Sequence, residues 1–371
     1  MKQRITSMQG VAILVNTIVP SAVLQLPGYV IQITKQDGWI TILFALLVGL
    51  MFTYLIVKIC SQSNGKPFMS WMESRFGSAI AFVIGISLCG YYFLTATSVV
   101  RQFTTYVLEQ LLSATPMLVI ASMITLVSIY MAWQGVEAMA RIHFIVLAFS
   151  FLLMGVSLFL LWGYFDWTNF LPMFETAPMR HLSAATMPIG WLSEISAVLF
   201  LLPYFEKPVQ GAKAAIWGTI TSAAMIALSV LIIIAVFGVK IINALSYPVF
   251  AALSMVEVGN FAERIDVFLL TAWMASMFAK VSVFLFCFMQ LLDYTFRVKI
   301  RSNVLFPYAI AAFICAAAIY TWQRNANFIS FSFTTLSLYL ILNNYVIHLL
   351  IWLGLRLTRR KSMIAAEGAG T

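Results

Sequence analysis

Ten apolar runs, each of about 20 residues or more, follow one another along this chain with short polar breaks between them. They lie near 8–32, 38–59, 78–105, 116–134, 142–164, 185–204, 214–238, 266–292, 304–322 and 332–355. Each is long enough to cross a hydrocarbon core of ~30 Å as a helix. In lipid, every backbone polar group must be satisfied within the segment, so runs of this length predict helices. The pattern therefore predicts an all-α polytopic membrane protein of about ten transmembrane helices.

Two runs are interrupted near their middles, five spans apart. The first reads Asn16-Thr17-Ile18-Val19-Pro20-Ser21, and the sixth reads Met187-Pro188-Ile189-Gly190-Trp191-Leu192-Ser193-Glu194. Proline removes a ladder donor and glycine loosens a helix. Matching breaks in two five-span halves are the sequence signature of a transporter-type binding site between inverted repeats. The expectation is one transmembrane domain over 1–371, a five-plus-five inverted repeat with broken helices 1 and 6. Its first repeat is placed at about 5–165, its second at about 185–356, with a basic tail over 357–371.

Composition agrees: 62% of the 371 residues are hydrophobic and 9% charged, against roughly 25% charged in soluble domains. The net charge of +9 is unevenly spread. Fifteen Lys and Arg residues fall on the side of the N-terminus and six on the other. That bias places both termini in the cytoplasm and assigns the basic residues to orientation in a bilayer, not to nucleic acid. The opening Met1-Lys2-Gln3-Arg4 precedes a run too long for a signal peptide, containing Pro20 and Pro27, and is read as a retained span. Cys60, Cys89, Cys287 and Cys315 have neither metal nor disulfide spacing and are assigned to packing. No P-loop, zinc spacing or nucleophile–base set appears. The chain is therefore read as neither an enzyme nor a holder of a cofactor or metal.

Charges inside spans carry the chemistry, since each costs roughly 2.5–3.5 kcal/mol to insert. Lys280 lies 14 residues beyond Asp266 and 13 before Asp293, about 20 Å from either end. Glu194 follows the break in span six and lies near the same depth. A carboxylate there binds a substrate amine, exchanges a proton or pairs with Lys280, and the sequence leaves all three open. Asn16, Pro20 and Ser21 at the first break, and Gly190, Ser193 and Glu194 at the second, are the candidate ligand contacts. Tyr92 and Thr95 of span three are candidate cavity linings. Arg101, further along that span, is expected to snorkel to the surface. Asn343 and Asn344 are assigned to bonds between helices. The apolar loop around Tyr247-Pro248 is expected to pack over a cavity mouth.

The stretch Gly259-Asn260-Phe261-Ala262-Glu263-Arg264-Ile265-Asp266, continuing to Trp273 and Lys280, resembles the spore-germination permease family, the B subunits of nutrient germinant receptors. Ile5-Thr6 to Gln9, Leu24 to Pro27, and Glu194 to Pro203-Tyr204 with Lys207-Pro208 are similar to the family as well. Ser193 stands where members often place glycine. The family resembles the wider amino acid–polyamine–organocation superfamily, which implies the same repeat with the same broken spans. The resemblance implies a small nutrient ligand, in the first instance an amino acid, bound at the membrane midplane. It also implies an A subunit and a lipoprotein C subunit as partners, and residence in the spore inner membrane. A proton-coupled amino-acid transporter is the alternative function.

Overall fold

The computed structural model describes residues 3–255, 265–322 and 324–368. Fifteen α-helices are assigned. The first six are α1 (Ser7–Thr34), α2 (Gly38–Ser63), α3 (Phe68–Phe76), α4 (Ser78–Gln110), α5 (Met117–Gln134) and α6 (Val136–Leu161). There follow α7 (Pro178–Leu192), α8 (Val198–Leu201), α9 (Pro208–Ile242), α10 (Pro248–Leu253), α11 (Ile265–Thr295) and α12 (Leu305–Tyr320). The chain closes with α13 (Asn325–Phe331), α14 (Ser337–Ile341) and α15 (Ile347–Gly368). Strand structure among the described residues is limited to one isolated bridge, Ile5 with Phe205.

Eight apolar helical stretches are long enough to cross a membrane, the first of which holds both α1 and α2, and α12 is a shorter apolar helix. The chain thus makes ten traversals, in the order α1, α2, α4, α5, α6, the α7–α8 segment, α9, α11, α12 and the α13–α15 segment. They are called spans one to ten below. The outward face is apolar: Met51, Phe159, Phe313 and Tyr320 are all exposed. Such a band suits hydrocarbon and not water. Spans six and eight are the most enclosed, so their polar groups must find partners inside the bundle.

Capping and local hydrogen bonds set where the elements start. Thr6 and Gln9 form a reciprocal capping box at the start of α1, satisfying two of the orphan N–H groups that any helix start leaves. Next to it, the Ile5 N–H donates to the Tyr204 carbonyl at 2.9 Å, tying the beginning of span one to the end of span six. At the opposite face, Asp37 in the turn between α1 and α2 accepts from Phe174 N–H at 2.8 Å and Thr176 N–H at 3.0 Å. This fastens the long connection between spans five and six over the ends of α1 and α2.

The two expected helix interruptions take different forms. Span six leaves α-helical geometry at a 3-10 segment, Ser193–Ala197, one turn after the predicted place; α7 runs through Pro188 and Gly190 to Leu192. Gly190 is needed for packing rather than unwinding, since a Cβ there would lie 3.1 Å from the Ser337 carbonyl oxygen of α14. Ser193 makes the break by donating its hydroxyl to the Gly190 carbonyl, in competition with the helix ladder. Span one keeps a helical course from Ser7 to Thr34. Its interruption is chemical: Pro20 supplies no N–H, and the Pro20 and Ser21 carbonyls accept from Trp273 Nε1 at 2.9 Å and Gln102 Nε2 at 3.4 Å. Span ten carries two further irregularities, π-helical turns at Ser332–Leu336 and Leu342–Val346.

Replacing Asp37 with alanine strands two N–H donors of the connection, at a cost of about 2 kcal/mol. Amide exchange at 174–176 is expected to quicken in the purified variant, with the rest of the bundle unchanged.

Candidate functional site

Spans one, three, six and ten enclose a tight cavity of about 10 Å³, lined largely by polar side chains. Each wall follows from a local feature of the sequence. Ser21 and Gln25 come from α1 at and after its proline. Thr95, Ser98 and Gln102 come from α4, where spacings of three and four put them on one helical face. Trp191 comes from just before the break in span six and Glu194 from within it, and Phe328, Ser332 and Leu336 from α13 and the first π turn. π turns occur often at functional sites.

The charge of the cavity is set by one ion pair. Lys280 Nζ donates to Glu194 Oε2 at 2.8 Å, with both side chains almost wholly out of reach of solvent. Lys280 also lies 5.3 Å from the centre of the Phe284 ring, within cation–π range. The other carboxylate oxygen, Glu194 Oε1, has no hydrogen-bond partner among the described residues. Behind the pair, Ser196 donates to Asn344 Oδ1 at 2.8 Å, and Asn344 Nδ2 donates to Ser193 Oγ at 2.9 Å. The 3-10 break of span six is thus held by the second π turn of span ten.

Of the predicted ligand contacts, Ser21, Thr95 and Glu194 line this cavity. Asn16 and Pro20 lie on the other side of α1, where they border a separate apolar cavity, and Asn16 Nδ2 donates to the His143 carbonyl at 2.8 Å. Tyr92 packs against Phe200 and Phe284. Gly190 abuts α14, and Ser193 is bonded to Asn344. Gln25, Ser98, Gln102, Trp191 and Ser332 escaped sequence reading, although the Thr95–Ser98–Gln102 stripe was visible as a periodicity. Phe261, Glu263 and Arg264 of the span-eight motif lie outside the described residues, as does the side chain of Asp266. Trp273 and Lys280 of that motif both reach the site region.

Arg101 does not snorkel. It is buried, and Nη2 donates to Asn325 Oδ1 at 2.7 Å. Asn325 Nδ2 donates on to Glu109 Oε1 at 3.0 Å, and Tyr247 Oη donates to Glu109 Oε2 at 2.8 Å. Burial and the Glu109 carboxylate push the Tyr247 hydroxyl above its ordinary range, so it remains a donor. Below it, Tyr106, Phe250 and Trp273 pack edge to face or tilted. This network joins span three, span ten and the segment before α10: Arg101 adjoins Gln102, Glu109 lies about two turns further along α4, and Asn325 about one turn before Phe328. Tyr247 and Phe250 of the apolar loop pack on Tyr106 at that end. The expected pairing of the four cysteines with packing also agrees with their burial as free thiols.

The sequence profile of the spore germination protein family matches residues 4–329. The chain belongs to the spore germination protein family. It is 24% identical to spore germination protein KB of Bacillus subtilis (strain 168) over 326 residues, 86% of each chain. It is likewise 24% identical to spore germination protein B2 of the same organism over 279 residues, 75% of this chain and 76% of that one. Among solved structures it is similar to MhsT in complex with L-phenylalanine, with a TM-score of 0.71 at 15% identity, covering 94% of this chain and 89% of that one. A substrate-bound, outward-open Na+-coupled sialic acid symporter gives a TM-score of 0.60 at 12% identity, covering 93% and 80%. The transporter fold and the multi-pass membrane character are thereby shown, and the family and its structural neighbours are permeases and transporters rather than enzymes.

Two outcomes follow from the geometry. Glu194→Gln leaves a buried lysine without its counter-charge and is expected to destabilise the detergent-purified protein by about 3–5 kcal/mol. Adding Lys280→Met is expected to restore most of its thermal stability. Independently, Glu109→Gln weakens the network around Arg101, so a cysteine placed at Ser98 is expected to react faster with a bulky, membrane-impermeant thiol reagent.

Proposed function

We propose that this chain is the transporter-like membrane subunit of a spore nutrient receptor and binds a small amino acid in the cavity between spans one, three, six and ten. The observation that carries this reading is the distribution of donors and acceptors around that cavity. Thr95 and Ser98 donate their hydroxyl protons to the Tyr91 and Leu94 carbonyls, so they present oxygen lone pairs inward. With Glu194 Oε1, they form an acceptor surface suited to an ammonium group. The Ser332 hydroxyl has no partner among the described residues and, with the Gln25 amide, supplies donors for a carboxylate. An ammonium and a carboxylate held a few ångströms apart describe an α-amino acid. The space between these walls is about 10 Å³, room for a single water, so an amino acid enters only when the surrounding spans part.

Ligand affinity that differs between two bundle arrangements biases a switch. The network of Arg101, Asn325, Glu109 and Tyr247 is the element whose making and breaking distinguishes those arrangements on one face. In this reading the basic face and both termini are cytoplasmic, the membrane is the spore inner membrane, and an A subunit and a lipoprotein C subunit read the switch. The likeness to MhsT bound to L-phenylalanine supports an amino acid as the ligand class. A second reading, proton-coupled uptake, is favoured by the buried Glu194–Lys280 pair, which offers an exchangeable proton at the cavity wall.

The test is binding of an amino-acid panel to purified wild type and Ser332→Ala. Saturable binding of a small amino acid, weakened about tenfold or more by loss of one charge-assisted bond, is expected. Absence of binding across the panel, or binding indifferent to Ser332→Ala, counts against the site. Accumulation of the bound amino acid in proteoliposomes under a proton gradient would move the conclusion from receptor to transporter.

A further inference from the structure

The second and larger cavity system has no part in the proposed nutrient site. Helices α6 and α9 each pack on α1 but barely touch one another, which leaves a slot along the bundle with α1 as its floor. Toward the basic face the slot opens as a cavity of about 560 Å³, and beyond it as one of about 150 Å³, with Leu147 common to both. One stripe of α9 walls the whole length: Lys213, Trp217 and Thr221 in the first cavity, Met225, Ser229 and Ile232 in the second. At 1.5 Å per residue the stripe is ~28 Å long, the thickness of a bilayer core. Ala12, Val15 and Val19 of the floor form an apolar cluster with Leu147 of α6 and Met225 of α9, separate from the main core.

The mouth at the basic face differs from the rest. Lys213 stands there outside both ion pairs found among the described residues. Trp217, one turn further along, is 60% exposed, and indoles favour the headgroup level. Arg4, whose guanidinium donates to the Phe205 carbonyl, and Lys207 add positive charge at this face. An apolar slot opening sideways between two spans meets acyl chains, and a cationic mouth selects the charge of the headgroup attached to them.

We propose that this slot binds an anionic phospholipid from the leaflet on the basic face, its phosphate at Lys213 and one acyl chain laid along α1. A chain reaching half of the ~30 Å core ends about ten residues up α9 from Lys213, beside Met225, Leu147 and Val15. Beyond that point the floor turns into the helix interruption. Ser21 lines the polar cavity while Pro20, one residue before it, lines the slot. Trp273 also lines the slot and donates to the Pro20 carbonyl. The slot thus reaches one side of the turn of α1 whose other side lines the nutrient cavity, and an acyl chain ending beside Val15 stops about five residues short of it.

The experiment is native mass spectrometry of the full chain in detergent, titrated with phosphatidylglycerol or phosphatidylcholine. Wild type is expected to retain phosphatidylglycerol preferentially. Lys213→Gln, on an exposed position, is expected to weaken that retention about fivefold, the effect of one basic residue near a charged headgroup. Ala148→Trp, also exposed and lining the slot, fills it and is expected to abolish retention of the preferred lipid. Equal retention of both lipids by wild type, or retention unchanged in Lys213→Gln, overturns the proposal. The readout is lipid mass, so it stands or falls independently of whether an amino acid binds.

Discussion

A lysine and a glutamate buried in the middle of a membrane protein constrain everything around them. Alone, either charge would cost the bundle several kcal/mol, and together they hold only if the geometry is good and the remaining lone pairs are managed. The Lys280–Glu194 bond joins span eight to the break in span six, so the two most enclosed spans are locked at one depth. The 3-10 segment that carries Glu194 is in turn held by Asn344 from span ten. The irregular backbone of span six is therefore enforced by chemistry from two other spans, which is the condition for such backbone to persist in lipid.

The cavity inherits its polarity from that arrangement. A regular helix presents mostly side chains, because its carbonyls and N–H groups are consumed by its own ladder. Where the ladder fails, at Pro20 and at Ser193, polar groups from neighbouring spans come in: Trp273, Gln102 and Asn344. They keep spans one and six from unwinding further and leave a small polar space between them. The same α1 turn forms the wall of an apolar slot on its other side, so one helix separates two chemically opposite environments.

Much of this was legible in the sequence, because it follows from rules that act locally. Ten apolar runs give ten traversals, and of the three readings open for Glu194 the structure shows its pairing with Lys280. The position of the break in span six was misplaced by one turn because proline and glycine are the local signals, whereas the real stop depends on Ser193 and on Asn344, 151 positions away. Arg101 was misread for a similar reason: its acceptor, Asn325, is 224 positions distant. Asn16 and Pro20 are expected at the ligand site but border the other cavity, because the sequence does not state which side of α1 faces which cavity. Tyr92 packs because two of the aromatic rings against it, Phe200 and Phe284, are brought to it from far along the chain.

One small contact at the basic face has a mechanical meaning. The Ile5 N–H donates to the Tyr204 carbonyl, a backbone bond between the first residues of one half of the chain and the end of the span that opens the other. Side chains are not involved, so substitution does not readily dissolve it. The near ends of spans one and six are stapled, and they travel as a joint. Opening toward that face requires either that the staple break or that both ends swing together. In the second case a displacement beginning at the cavity reaches the membrane surface as the movement of both ends together.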